Sequence, residues 1–89
     1  MLKLKITKQY KKDYKKAFKQ GKDLEELKTV ISTLSNNKIL SREYNDHALS
    51  GDMKHLRDCH IEPDFILLYK TNHVTLYLVR LGTHAELFG

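Results

Sequence analysis

Five consecutive apolar residues, Phe65-Ile66-Leu67-Leu68-Tyr69, sit between two turn signals and constrain most of what this chain can become. A run so short and so continuously apolar reads as the buried central strand of a sheet. Glu62-Pro63-Asp64 interrupts the chain before it and Asn72-His73 after it. The flanking segments, about 54–61 and 74–81, also carry strand character, and connections this short make all three strands antiparallel neighbours. Pro63 has no N–H to give to a ladder, so it belongs in the turn or at a strand end.

The first half follows other periods. Leu2, Leu4 and Ile6 alternate with Lys3, Lys5 and Thr7, the pattern of a half-buried strand. From residue 8 the spacing changes: Tyr10, Tyr14, Ala17 and Phe18 form one helical stripe, and Gly21 is placed to end that helix in a left-handed conformation. Asp23, with Glu26 three residues on, opens a second helix whose stripe is Leu24, Leu27, Val30, Ile31 and Leu34. Asn36 and Asn37 stop it. Residues 38–53 are mostly polar and without period, Gly51-Asp52 reads as a turn, and the tail from Gly82 to Gly89 leaves the last strand. The expected fold class is therefore α+β in one domain, residues 1–89. An N-terminal strand, a two-helix hairpin on one sheet face and a three-stranded antiparallel meander make it up.

Charge is unevenly placed. Residues 1–22 hold nine lysines against the single acid Asp13, a net of +8, whereas the remaining 67 residues carry −3. Such density at one end points to a polyanionic partner, or more plainly to a solvated helix face. One cysteine, Cys59, excludes an internal disulfide and suits a reducing compartment. No apolar run is long enough to span a membrane and no secretory leader pattern opens the chain, so a cytoplasmic protein is expected.

Of the five histidines, His47, His60 and His84 fall where strands end or loops begin, while His55 and His73 read as surface or structural residues. The turn that separates His60 from Asp64 brings those two close, and His84 lies three residues past Leu81. Arg57, three residues before His60, projects to the opposite face unless a bulge intervenes; Arg80 is near the end of the last strand. Histidines with a carboxylate and nearby cations are what cleavage of an RNA phosphodiester requires. A base takes the 2′-hydroxyl proton, an acid protonates the leaving 5′-oxygen, and cations meet the charge on phosphorus. A zinc site from Cys59, His60 and His84 lacks ligand spacing, and Cys59 has the apolar flanks of a buried side chain.

Three stretches carry a family resemblance: Asp46-His47-Ala48-Leu49 with Gly51; Arg57-Asp58-Cys59-His60-Ile61-Glu62-Pro63-Asp64; and Arg80-Leu81-Gly82-Thr83-His84 through Leu87-Phe88. Together they resemble the YafQ branch of the RelE/ParE toxin superfamily. The resemblance implies a RelE-like fold and a ribosome-dependent endoribonuclease (an mRNA interferase) of a type II toxin–antitoxin system. It implies as partners mRNA, the ribosome with its rRNA, and a cognate antitoxin of the DinJ/RelB type, with no cofactor, metal or membrane. It also implies site positions: Asp64 as general base and His84 as general acid, in an order that one sequence leaves open. His47 and His60 would bind or polarise the phosphate, and Phe88 would orient a nucleobase. Arg57, Arg80, Lys11, Lys12 and Lys15 are the cations expected to hold RNA. A non-catalytic ParE-like inhibitor or nucleic-acid-binding module is the competing reading, since the same fold serves both.

Overall fold

The computed structural model describes residues 1–89. In chain order its elements are β1 (Lys3–Ile6), α1 (Lys8–Lys19), α2 (Leu24–Ser35), β2 (His47–Ala48), β3 (Arg57–Glu62), β4 (Phe65–Thr71), β5 (Thr75–Gly82) and α3 (His84–Phe88). The strands form one mixed sheet in the order β1-β5-β4-β3-β2. The apolar run is its middle strand, and Phe65 through Tyr69 are all buried. β3, β4 and β5 are the expected antiparallel meander; β1 pairs in parallel with β5.

Local chemistry explains the helix ends. Thr7 caps α1 by accepting from the Tyr10 N–H, and Gly21 follows the helix at φ +72°. Asp23 caps α2 by accepting from the Glu26 N–H at 2.9 Å. The capping is not reciprocal, because the Glu26 carboxylate is taken by the Tyr44 hydroxyl and the Asp23 N–H turns to Glu62 of β3. The buried stripes of α1 and α2 (Tyr10, Ala17, Leu27, Val30 and Leu34) pack on one sheet face with Leu67, Leu76 and Leu81. Tyr14 and Phe18 do not join them and remain 41% and 69% exposed.

Four features depart from the sequence expectation. β1, expected to be half-buried, has all four of its residues exposed, because it is the edge strand and the α1 and α2 stripes do not reach Leu4 and Ile6. The non-periodic stretch contains β2, a two-residue fifth strand too short to show alternation. The third strand begins at Arg57 rather than near residue 54, because Gly51–Met53 forms a short 3-10 turn just upstream. The tail is helical: Thr83 and Glu86 form a capping box that opens α3. Leu87 of α3, with Leu49 and Met53, covers Leu56, Ile66 and Leu68 on the second sheet face. That face is therefore covered too, by a loop and a short helix.

β5 is eight residues long and β1 four, so the last residues of β5 have no strand on that side. The Thr7 hydroxyl donates to the Val79 carbonyl at 2.7 Å, and the buried carboxylate of Asp13 accepts the Leu81 N–H at 3.0 Å. Asp13 also accepts from Arg80, at 2.9 Å from Nε and 3.3 Å from Nη2. Burial alone would raise its carboxyl, but the hydrogen bonds from Arg80, Gln9 and Leu81 outweigh that and hold it below the usual range. At the end of β5, a Cβ on Gly82 would lie 2.9 Å from Glu86 Oε1, an atom already fixed by the Thr83 N–H, so only glycine lets α3 seat there.

Asp13→Ala strands the Leu81 N–H and the guanidinium together. We expect a loss of about 2–3 kcal/mol in urea unfolding, less than for a fully buried pair because Arg80 reaches water. Glu86 receives Lys16 Nζ at 2.5 Å, and this ion pair with the Thr83 N–H lowers its carboxyl from 4.5 to about 2. A carboxyl depressed by folding stabilises the native state above its unfolded value, and that contribution is lost as pH falls through its folded value. The seating of α3 should therefore weaken between about pH 4.5 and 2. Proton NMR of the Phe88 ring reports it, and Glu86→Gln should diminish the acid transition seen by that ring, the remainder belonging to Asp64, whose lowered carboxyl also holds the start of α3.

Candidate active site

Short elements bring distant residues to one end of the sheet. β2 pairs with β3 so that His47 stands opposite Asp58. Asp58 and His60, two apart on β3, share a face. They lie beside Leu68 and Ile66 of β4, on the side that α3 covers. The turn after β3 carries Asp64, whose Oδ1 accepts both the His84 backbone N–H at 2.8 Å and the ring nitrogen Nδ1 at 2.7 Å. The Thr83 capping box starts α3 at His84 and sets Phe88 one turn further on.

The result is a row of rings. His47 and His60 have centroids 6.4 Å apart, His60 and His84 meet edge to face at 5.4 Å, and His84 and Phe88 are 6.2 Å apart. Two of the imidazoles have one nitrogen already committed. His47 Nδ1 lies 2.7 Å from the Asn45 carbonyl, which only accepts, so Nδ1 carries the hydrogen and Nε2 is left over. His84 Nδ1 faces Asp64 in the same way and leaves its own Nε2 available. The two N–H groups of His84, backbone first, hold the Asp64 carboxyl below the ordinary carboxylate range.

Of the residues expected from sequence, His47, His60, Asp64, His84 and Phe88 come together. Arg57 does not. It pairs in register with Tyr69, on the face opposite His60, and its Nε lies 3.2 Å from Asp46. The bulge that would have redirected the strand falls between His60 and Glu62, beyond it. Arg80 shares the site's face, in register with Leu68, with its guanidinium on Asp13. Lys11, Lys12 and Lys15 are exposed on α1, and Lys16, one turn from Lys12, links that helix to α3 through Glu86. Cys59 is fully buried, and burial pushes its thiol up, so it is no nucleophile.

Sequence reasoning passed over two carboxylates. Asp58 is buried between His47 and His60, and the signal for it was its two-residue spacing from His60 on a strand. Glu86 holds α3 in place, and the Thr-x-x-Glu pattern of a capping box announced it. No three His, Cys, Asp or Glu side chains converge as a metal ion would require.

The profile of the family described as the YafQ bacterial toxin of type II toxin–antitoxin systems matches residues 2–89. The mRNA interferase toxin YafQ of Escherichia coli K12 is 49% identical over 82 residues, 91% of this chain and 89% of that protein. YafQ in the E. coli DinJ–YafQ toxin–antitoxin complex superposes with a TM-score of 0.92 at 45% identity, over 99% of this chain and 98% of its own. A metal-bound toxin from Helicobacter pylori superposes at 0.92 with 42% identity, over 99% of this chain and all of its own. With a matching profile over nearly its whole length, this chain belongs to the YafQ family of bacterial type II toxin–antitoxin toxins.

Proposed function

We propose that this chain is an mRNA interferase, an endoribonuclease toxin that cuts messenger RNA through 2′-hydroxyl attack. The observation that carries this reading is the row His47–His60–His84–Phe88 with Asp64 hydrogen-bonded to its third ring. A binding module has no use for three adjacent imidazoles, whereas internal transesterification of RNA needs separate proton acceptors and donors. The E. coli relative that is 49% identical carries the same activity in its name.

This reading divides the work as follows. Asp64 stays a carboxylate under its two hydrogen bonds, so it is a poor proton carrier and serves best by holding the His84 ring. His84 then acts as the acid, giving its Nε2 proton to the departing 5′-oxygen. The base role passes from Asp64 to the histidine pair, where His47 offers Nε2 and His60 stands between the other two rings. The 2′-oxygen bonds to phosphorus, the P–O5′ bond breaks, and a 2′,3′-cyclic phosphate and a 5′-hydroxyl remain. Phe88 stacks on a nucleobase and fixes the strand, an interaction worth about 1–3 kcal/mol. Arg80 reaches the phosphate with the N–H groups that Asp13 leaves free. Arg57 contributes at most from the far face.

The partners follow from the same reading. The ribosome presents the mRNA, Lys11, Lys12 and Lys15 contact rRNA phosphates, and an antitoxin of the DinJ type neutralises the toxin in the cytoplasm. No helix is long and apolar enough to cross a membrane.

Expression of the wild type should arrest growth and produce new mRNA ends at translated codons, mapped by primer extension. His84→Ala should lower the cleavage rate by about 10²–10⁴-fold, the usual share of one acid–base group. Full cleavage by the His60→Ala/His84→Ala double variant would remove the proposed site, and arrest without new ends would favour the binding module. Replacing Lys11, Lys12 and Lys15 with glutamine should weaken ribosome binding and flatten its salt dependence by close to three phosphate contacts' worth of slope. An unchanged slope would take the lysines out of the interface.

A further inference from the structure

Asp58 is the one charged group inside the site that this reaction scheme leaves without a task. Its carboxylate is 4% exposed, and no hydrogen-bond donor of the protein is aligned on Oδ1. Two imidazoles flank it, one on each oxygen. His60 Nε2 is 3.2 Å from Oδ1, off the line of a good hydrogen bond, and His47 Nε2 is 4.0 Å from Oδ2. Leu68 lies beside it in register on β4. The neighbouring guanidinium cannot help, because Arg57 projects to the other face and is taken by Asp46. A buried carboxylate without a partner is costly, so a group that can become cationic must stand beside it. The two histidines are the only such groups in reach.

We infer that Asp58 is a positioning residue for the histidine pair, an inference that rests on the site reading above. Its carboxylate, 3.2 Å from His60 Nε2, favours the tautomer that carries the hydrogen on that nitrogen. When His47 or His60 takes the 2′-hydroxyl proton, the same carboxylate stabilises the imidazolium that forms, as a buried aspartate does behind a histidine base. One carboxylate thus serves two rings, through one oxygen each.

The test is Asp58→Asn, which keeps shape and removes charge, compared with His60→Ala and His84→Ala. Cleavage of ribosome-bound mRNA is followed under single-turnover conditions, ribosome affinity is measured separately, and imidazole ¹⁵N resonances are recorded. We expect about a 100-fold fall in the cleavage rate with affinity unchanged. The ¹⁵N resonances of His47 and His60 should move and those of His84 stay in place. Cleavage within threefold of wild type overturns the inference. So does a large loss with unmoved His47 and His60 resonances, which marks a purely structural role. Independently of whether the variant folds, the wild-type spectrum should show neutral His60 with its hydrogen on Nε2, and hydrogen on Nδ1 instead refutes that tautomer. If His60→Ala and His84→Ala both cleave normally, the site reading itself fails and takes this inference with it. If they lose cleavage while Asp58→Asn keeps it, only the present inference fails.

Discussion

The buried carboxylate of Asp13 ties together parts of the chain that otherwise touch only lightly. β5 outruns β1, and a strand end without a partner carries backbone groups that must be satisfied somehow. Thr7 and Asp13, on the cap and second turn of α1, take that place. The helix thereby continues the sheet edge by side-chain hydrogen bonds, and Arg80 is drawn into the same contact. Everything after β5 hangs from this point: Gly82, the Thr83 cap, and the short helix that carries His84 and Phe88. An acid placed among nine lysines looks like a minor correction of charge, yet its position decides where the site can form.

Within the site, rigidity comes from local fixtures rather than from a deep cleft. The His47 ring is fixed by a backbone carbonyl, the His84 ring by the Asp64 carboxylate, and α3 by its capping box with Lys16 behind it. Each fixture belongs to a different segment: the loop before β2, the turn after β3, and the helix after β5. Three segments far apart in sequence meet because β2, β3 and β4 pair in register and α3 folds back over their shared face. The candidate site needs the whole sheet to exist, although its side chains occupy one end of it.

The central strand was legible because five apolar residues between two turns admit little else, and the Asp23 cap followed ordinary capping chemistry, whereas Thr7, which fits the strand alternation, caps α1 instead. β2 was not legible, since two residues carry no period. Tyr14 and Phe18 belong to the stripe of α1 yet stay exposed: a stripe reveals the helix face but not how far the sheet beneath it extends. Arg57 was read to the opposite face on strand parity, and that is where it lies. The same parity would have placed Asp58 beside His60, but alternation alone cannot say that a carboxylate will be buried. The meeting of His47 with that pair depends on β2, so the family resemblance pointed to it and the residue pattern alone did not.

β1 is the outer strand of the sheet, and its free edge is flanked by Leu4 and Ile6, which are 51% and 46% exposed. An open edge beside apolar side chains invites a second chain to pair there, and proteins commonly guard such edges with lysine. Lys3 and Lys5 sit on this strand and Lys8, Lys11 and Lys12 follow at once, so two copies approaching edge to edge bring like charges together. The cationic character of this end is thus a colloidal safeguard, whatever else the lysines meet. Added salt screens that repulsion and lets the bare edges come nearer one another.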